Sequence, residues 1–340
     1  LDKEARVLLE ETGPLRATVK ADGWYVNEAG EKFCRFSVRL HFFRGQSSIR
    51  VEHTFIFTGN SLEDRLRDIG FRIPLARTRH QHSYVMFGAQ PDDGPMVPVE
   101  AGSSSDTHAY QVMDSPDHRR FEWFLRRGDD RNVSTGVKAA GVLRGNTDLV
   151  SLAAVLRDAW QQYPFEMEWN RGEAIVHFWP KHGRLWDTSW DGIWYFLTDQ
   201  QKRFMTRSKP KVDDKNFDAI LANLRRSNAY GAAKTHELWL LFDVDAHWIS
   251  LPMYHDYVHH PPYAHADLAW QCASRALDWL PHQPYDRANF PNEEDFLDTA
   301  LDIVQRHRDY VGYYGWWDWG AYHQFFNDGE PVYRSAEIHF

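Results

Sequence analysis

The sequence FSVRLHFFRGQSSIRVEHTFIF at residues 36–57 alternates apolar and polar side chains in two runs. Because successive side chains of a β-strand point to opposite faces, this period of two predicts two half-buried antiparallel strands. The apolar face comprises Phe36, Val38, Leu40, Phe42, Ile49, Val51, His53, Phe55 and Phe57. We expect His53 to be a core histidine rather than a metal ligand, since it shares that apolar face.

Strand patterns continue on the C-terminal side of this stretch. Residues 60–145 are rich in Gly, Pro, Asp and Ser, which is typical of sandwich edges and long loops. Further strand candidates are residues 82–87, 108–112, 165–169, 174–179 and 230–242. Residues 149–160 leave a helix and a buried strand both open, because their apolar run has no clean period. Together the patterns predict a mainly β chain, with an antiparallel β-sandwich over residues 1–260.

The pattern changes from strands to helices after residue 260. Residues 264–280 place apolar side chains at helical spacing, and Asn292 is the predicted N-cap of a second helix that runs to about Tyr310. Two helices and a tail cannot bury their own apolar faces. We therefore expect residues 261–340 to pack on the sandwich or on a partner, or the chain to be a fragment of a longer protein.

The composition limits the classes of partner. The chain has 340 residues, a formal net charge of -9 and no long run of Lys or Arg, so we expect no nucleic-acid partner. The longest apolar run, residues 238–242, is far shorter than the roughly 20 residues that span a bilayer, so we expect no membrane partner. Cys34 and Cys272 are too few for a disulfide framework or a cysteine zinc site. Aromatic residues form 15% of the chain and suit stacking on sugar rings as well as core packing.

A first candidate site lies where the strand at residues 230–242 begins. Lys234 and His236 are two residues apart, so they face the same space at roughly 6–7 Å from each other. Such a pair suits a catalytic base and a neutraliser of substrate charge, and Tyr230 precedes it as a candidate acid. The alternative is an exposed sheet end where Lys234 pairs with an acidic residue.

A second candidate is the histidine-rich run that contains Tyr254, His255 and His259. His255 and His259 have the spacing of zinc ligands on a helix, but the following Pro261-Pro262 pair favours a loop. We therefore predict no metal site there and favour a sugar-facing or packing role.

A third candidate is an aromatic run near the C-terminus, which resembles a sugar-binding wall. Indole rings stack on pyranose faces, and a carboxylate orders the hydroxyl groups. The predicted substrate-binding residues are Trp316, Trp317, Asp318, Trp319 and His323. Aromatic side chains that pack helices together are the alternative. The sequence contains neither a Gly-rich phosphate loop nor a Gly-x-Ser-x-Gly motif, so we expect neither nucleotide chemistry nor serine hydrolysis.

Several motifs are spread from about Gly13 to Trp319. They are GPLRA at 13–17, GWY at 23–25, VEHTF at 51–55, DIG at 68–70, RDAWQQYP at 157–164 and GAAKTHE at 231–237. Together they resemble the rhamnogalacturonan exolyases of polysaccharide lyase family 26. The resemblance implies a secreted or periplasmic protein whose substrate is an acidic polysaccharide or oligosaccharide.

The resemblance also implies three domains: an N-terminal β domain, a central β-sandwich and a C-terminal α/α toroid. Residues 1–260 would then be the central β-sandwich, and residues 261–340 the first helices of the α/α toroid. The N-terminal domain and the rest of the toroid would belong to the same parent chain and be missing here.

The implied activity is that of a polysaccharide lyase in pectin degradation, which cleaves a rhamnose-galacturonate backbone by β-elimination. The reaction needs a neutraliser of the uronate carboxylate, a base for the C5 proton and an acid for the leaving O4. Lys234 or His236 is the candidate base and neutraliser, whereas the candidate acids are Tyr230, Tyr254 and His255. No cofactor is expected, and a calcium ion is compatible with the reaction.

Two other function classes stay open. A glycoside hydrolase would use two opposed carboxylates, for which Glu237, Asp256 and Asp318 are candidates. A non-catalytic glycan-binding module of a larger carbohydrate-active enzyme would use the aromatic side chains without a reactive base.

Overall fold

The computed structural model describes residues 2–60, 63–77, 83–91, 94–104, 107–113, 123–128, 131–183, 229–243, 250–275, 286–311, 326–327 and 330–331. Residues up to His259 belong to one compact unit, and residues His260–Tyr313 belong to a second. The strands of the first unit are β1 (Arg6–Thr12), β2 (Arg16–Val26), β3 (Lys32–Phe43), β4 (Ser48–Ile56), β5 (Ile69–Pro74), β6 (Ser83–Gln90), β7 (Val97–Ser104), β8 (His108–Met113), β9 (Trp123–Arg127), β10 (Arg131–Gly136), β11 (Lys138–Asn146), β12 (Ser151–Leu156), β13 (Phe165–Asn170), β14 (Glu173–Trp179) and β15 (Ala233–Phe242).

Nine of these strands form an antiparallel sheet in the order β1-β2-β3-β4-β15-β12-β11-β6-β7. The two strands predicted within residues 36–57 are β3 and β4, and their register places Phe36 opposite Phe55. The ambiguous run at 149–160 contains the buried strand β12, followed by a 3-10 helix at Trp160–Gln162. β15 lies between β4 and β12, so a strand distant in sequence completes the middle of this sheet.

The other six strands form a second antiparallel sheet in the order β10-β9-β8-β13-β14-β5. Its inward side chains share one apolar core with those of the nine-stranded sheet: Phe165, Met167 and Trp169 lie in the same cluster as Phe55 and Leu238. This arrangement confirms the predicted mainly β, antiparallel sandwich. Alternate residues of both sheets fill the space between them, as in other face-to-face sheet packings.

A glycine permits a close approach between the two sheets. The Trp169 ring is fully buried and lies against Gly145 on β11, where a Cβ atom would come within 2.2 Å of the ring. Real Cβ atoms cannot approach so closely, so the indole can occupy this position only because residue 145 has no side chain.

Helix α1 (Ser250–His259) packs on the outer face of the nine-stranded sheet, where Leu251 and Val258 join an apolar cluster that includes Val142 and Val155. The predicted loop in this region was therefore wrong. The Pro261-Pro262 pair follows the helix end, where proline is common, and Pro252 falls in the first turn, where its missing N–H breaks no helical bond.

The second unit contains helices α2 (Leu268–Ser274) and α3 (Pro291–Val311). The Asp267 carboxylate caps α2 by accepting hydrogen bonds from the N–H groups of Ala269 and Trp270. The α3 helix begins at Pro291, one residue before the predicted cap, because the fixed φ of proline suits the first helical position. The α/α toroid and the domain division at residue 260 stay predictions.

Two further short strands, β16 (Phe326–Asn327) and β17 (Glu330–Pro331), pair with each other. Within the described residues, no helix combines the length and the apolar character needed to cross a membrane.

Candidate functional site

A cluster of titratable side chains lies on the outer face of the six-stranded sheet. Because Phe165, Met167 and Trp169 point into the core, the intervening Glu166 and Glu168 of β13 point to the opposite face. Both glutamates are nevertheless fully buried, with 0% of their surface exposed. Buried carboxylates need charged or hydrogen-bonding partners, and the surrounding histidines provide them.

His177 on β14 lies at the centre of these carboxylates. Its Nδ1–H donates to Asp68 Oδ1 at 2.6 Å and its Nε2–H donates to Glu168 Oε2 at 3.0 Å. The Nε2 atom is also 3.8 Å from Glu166 Oε1. Gly70 on the neighbouring strand makes room for the ring, since a Cβ at this position would lie 3.1 Å from His177 Nδ1.

Three less buried basic residues complete the cluster. His108 Nε2–H donates to Glu168 Oε1 at 2.9 Å, and His182 Nδ1–H donates to Glu166 Oε1 at 2.8 Å. Lys181 Nζ lies 3.7 Å from Glu168 Oε2. The side chains of His108, Lys181 and His182 are 28%, 46% and 29% exposed, so they form the solvent-accessible rim. We call Asp68, His108, Glu166, Glu168, His177, Lys181 and His182 the histidine-carboxylate cluster.

The interaction between His177 and Glu168 determines the charge of each of these two side chains. Burial disfavours the imidazolium form of His177, but hydrogen bonds to Asp68 and Glu168 outweigh it and raise its pKa to about 9. Burial likewise disfavours the Glu168 carboxylate, yet the hydrogen bond and positive charge of His177 lower its pKa to about 2. Near neutral pH the pair is therefore ionic.

Lys234 and His236 lie elsewhere, on the face of β15 that points into the sandwich. His236 is only 1% exposed and its ring stacks on Phe178 at a centroid distance of 4.7 Å. Lys234 is half-buried, and Tyr230 is 66% exposed. In this arrangement the His236 ring has essentially no contact with solvent.

His53 lies opposite His236 across the β4-β15 pair and shares the Phe178 ring, at a centroid distance of 4.6 Å. It is 4% exposed, and its Nε2 atom is 2.8 Å from the Tyr25 hydroxyl. The structure thus places His53 in the core. Burial lowers its pKa to about 4, and burial also places the pKa of His236 well below 6.5.

Tyr254 and His255 belong to α1 and so lie on the other face of the nine-stranded sheet from Lys234 and His236. The structure does not bring these two pairs together. His255 stacks on His259, whose Nδ1–H donates to the His255 carbonyl and whose Nε2 accepts from the Asp158 N–H. Both ring nitrogens of His259 are therefore used within the fold.

Glu237 and Asp256, two carboxylates considered for a glycoside hydrolase, lie within the described residues, whereas the predicted sugar-binding residues do not. Glu237 accepts hydrogen bonds from Arg50 and Trp239 at 2.8 Å each, and Asp256 lies on α1. The predicted sugar-binding residues lie outside the described residues: Trp316, Trp317, Asp318, Trp319 and His323.

Sequence reasoning missed the histidine-carboxylate cluster. A signal was present at residues 165–169, where two glutamates alternate with three large apolar residues and therefore share the face opposite the core. The partners come from other strands: β8 supplies His108 and β14 supplies His177. Their proximity depends on strand order, which local periodicity does not encode.

Comparison with known families adds one match. Residues 3–92 match the model of the PcRGLX-like protein central beta sandwich domain. The matched part spans β1 to β6. The match covers 90 of the 340 residues. No curated protein sequence matches this chain.

Three solved structures overlap weakly with the chain. A candidate aldose 1-epimerase from Klebsiella pneumoniae has 6% identity and a TM-score of 0.30, over 76% of this chain and 59% of its own. A candidate aldose 1-epimerase from Escherichia coli K12 has 7% identity and a TM-score of 0.27, over 71% and 69%. A galactose mutarotase related enzyme from Lactobacillus acidophilus has 10% identity and a TM-score of 0.26, over 71% and 72%.

The chain thus spans 59% of the length of the Klebsiella protein.

Proposed function

We propose that this chain is part of a secreted or periplasmic polysaccharide lyase that cleaves a uronate-containing backbone of the rhamnogalacturonan type. The observation that carries the proposal is the match of residues 3–92 to the PcRGLX-like central beta sandwich domain. The observed antiparallel sandwich agrees with that domain description. The parent protein would contribute further domains to the substrate cleft.

The proposed reaction is β-elimination at the uronate. A base takes the C5 proton, the released electron pair forms the C4–C5 double bond, and the C4–O4 bond breaks as O4 takes up a proton. A cation beside the carboxylate stabilises the charge that develops at C5.

The rim of the histidine-carboxylate cluster offers groups for each of these tasks. Lys181 is the proposed neutraliser of the uronate carboxylate, since it is the most exposed cation of the rim. His108 and His182 are the proposed proton-transfer groups. Each donates one ring N–H to a buried glutamate, which orients its imidazole as a carboxylate orients the histidine of a catalytic triad.

The assignment from the sequence stays a second proposal for the same reaction. Of the residues in this assignment, Lys234 and Tyr230 are the more accessible to a substrate. His236 is buried, so the core would have to rearrange before a sugar could reach its ring. Tyr254 and His255 would have to act from a different face of the sheet.

The experiment follows the ultraviolet absorbance of unsaturated uronate when the parent protein is mixed with de-esterified rhamnogalacturonan. We expect absorbance to rise, and Lys181→Ala to lower the rate by at least about tenfold because a neutralising charge is lost. Arg72→Ala is the matched control, since Arg72 is an exposed cation of the same sheet outside the cluster. New reducing ends without absorbance would indicate hydrolysis, and binding without product would indicate a glycan-binding module. Either result would overturn the lyase proposal.

The same assay separates the two candidate sites. One outcome is that Lys234→Ala lowers the rate of product formation, whereas the variants of the rim keep the wild-type rate: Lys181→Ala, His108→Ala and His182→Ala. The site at β15 is then correct and the cluster is structural. The reverse pattern would assign catalysis to the cluster.

A further inference from the structure

Three potential metal-ligating atoms of the histidine-carboxylate cluster converge on one point. One ligand atom each from Glu166, Glu168 and His177 lies within 4.8 Å of the other two. All three residues are buried. We propose that Glu166, Glu168 and His177 form a binding site for a divalent transition-metal cation, of which Zn²⁺ fits best.

The donor set favours zinc over calcium or magnesium. Zinc is commonly held by three protein ligands drawn from histidine nitrogens and carboxylate oxygens, with a further position left for water or substrate. Calcium and magnesium take oxygen ligands almost throughout, so the central imidazole of His177 would serve them poorly.

The ligand spacing needs only small adjustments. At zinc-ligand distances of about 2.0–2.2 Å, two ligands of a tetrahedral site lie roughly 3.3–3.5 Å apart. His177 Nε2 is 3.0 Å from Glu168 Oε2 and 3.8 Å from Glu166 Oε1, which brackets this value. Binding of Zn²⁺ would displace the Nε2 proton of His177 to solvent, and side-chain shifts of roughly a few tenths of an ångström would then place the three atoms around one ion.

The surrounding hydrogen bonds resemble those that orient metal ligands. Asp68 accepts from His177 Nδ1–H and so aims Nε2 at the two glutamates, as in the carboxylate-histidine-zinc arrangement. His108 and His182 hold the glutamate oxygens in turn. Each proposed ligand therefore already has a partner that fixes its orientation.

The charge of the cluster also suits a cation. Asp68, Glu166 and Glu168 bring three carboxylates together, and two of them are fully buried. Lys181 is the competing cation, 3.7 Å from Glu168, but its side chain is 46% exposed and can turn toward solvent when an ion binds.

The test is direct binding of Zn²⁺ to the full chain after chelator treatment, measured by isothermal titration without any glycan. We expect a site of one Zn²⁺ per chain that Glu168→Gln weakens by at least tenfold, with Ca²⁺ binding far more weakly than Zn²⁺. Glu173→Gln is the matched control: Glu173 lies on β14 but pairs with Arg72 outside the cluster, so the variant should bind as wild type does.

A second variant keeps the inference testable if Glu168→Gln does not fold. Asp68→Ala removes the carboxylate that accepts the His177 Nδ1–H and so orients the ring, and it should weaken Zn²⁺ binding about 10–100-fold. Co²⁺ provides an independent signal, since its visible absorption reports the ligand geometry and should disappear in His177→Gln. Zinc affinity equal in wild type and in both cluster variants would show adventitious binding to other histidines and overturn the proposal. Because no glycan is present, this outcome leaves the proposed lyase reaction to its own assay.

Discussion

Burial keeps two histidines of the sandwich core neutral. His53 and His236 lie opposite each other on β4 and β15, and both stack on the ring of Phe178. Desolvation lowers the pKa of His53 to about 4, whereas the ordinary value is 6.5. Between these two pH values the unfolded chain binds a proton at residue 53 that the folded protein does not, so acid favours unfolding.

We predict that the His53 contribution to stability is complete above about pH 6.5 and is lost progressively as the pH falls toward 4. Linkage gives a loss of about 2 kcal/mol at about pH 5 for this group alone. Urea unfolding at about pH 7.5 and about pH 5 measures it: His53→Gln should lose about 2 kcal/mol less than wild type between the two conditions. The control variant His265→Gln, in which an exposed histidine is replaced, should lose as much unfolding free energy between the two pH values as wild type does. An identical loss in all three proteins would contradict the prediction.

The contact between Gly145 and Trp169 predicts that the stability of the fold depends on the size of the side chains at these two positions. Gly145→Ala should destabilise the fold by about 1–3 kcal/mol, because the added methyl group would overlap the indole and force it to move. Denaturant unfolding gives the value. The double variant Gly145→Ala with Trp169→Phe should lose less stability than the sum of the single variants, since the smaller ring leaves space for the methyl group. Strict additivity would show that the two residues do not compete for the same volume.

At the scale of elements, α1 is held to the nine-stranded sheet by few side chains. Leu251 is fully buried on the sheet, whereas Met253 on the same helix is 67% exposed. The helix therefore has one anchored face and one solvated face.

We predict that Leu251→Ala costs about 2–4 kcal/mol of unfolding free energy, because it leaves a cavity between the helix and the sheet. Met253→Ala should change stability by less than about 0.5 kcal/mol. Thermal or urea unfolding of the two variants provides the comparison. Similar values for both would mean that the helix does not dock through Leu251.

The elements differ in how far their sequence encodes them. β3 and β4 follow from local alternation, and β4 buries one face as predicted, whereas in β3 the predicted core residue Phe42 is 39% exposed and His41 of the opposite face is buried. The helix from Pro291 follows from its acidic first turn. The loop predicted in place of α1 is wrong because Pro261-Pro262 lie beyond the end of the helix at His259 and do not interrupt it. The histidine-carboxylate cluster was missed because it joins β8, β13 and β14, whose neighbourhood is a property of sheet topology.

For the candidate catalytic residues, alternation predicted correctly that Lys234 and His236 share a face, but not that this face points into the core. Only the arrangement of the second sheet decides which side of β15 is covered. The side chains that fill that space, such as Phe178, are distant in sequence.

At the scale of the whole molecule, the described strands of both sheets and α1 precede residue 260. If residues 1–260 are a domain, a chain that ends there should retain near-ultraviolet circular dichroism from its buried tryptophans and should unfold in one cooperative transition. The full chain is the control for both signals. Loss of the near-ultraviolet signal with retained strand content would show that later residues are needed to fix the core, and would refute the domain division.

The position of β15 beside β4 also determines when the protein can finish folding during its synthesis. About 180 residues separate the end of β4 from the start of β15. At 5–20 residues per second, a ribosome needs roughly 10–35 s to make them. Throughout that interval the inner edge of β4 exposes unpaired N–H and C=O groups, which other chains can bind. The nascent protein therefore passes through a period in which dilution and chaperones decide whether it folds or aggregates.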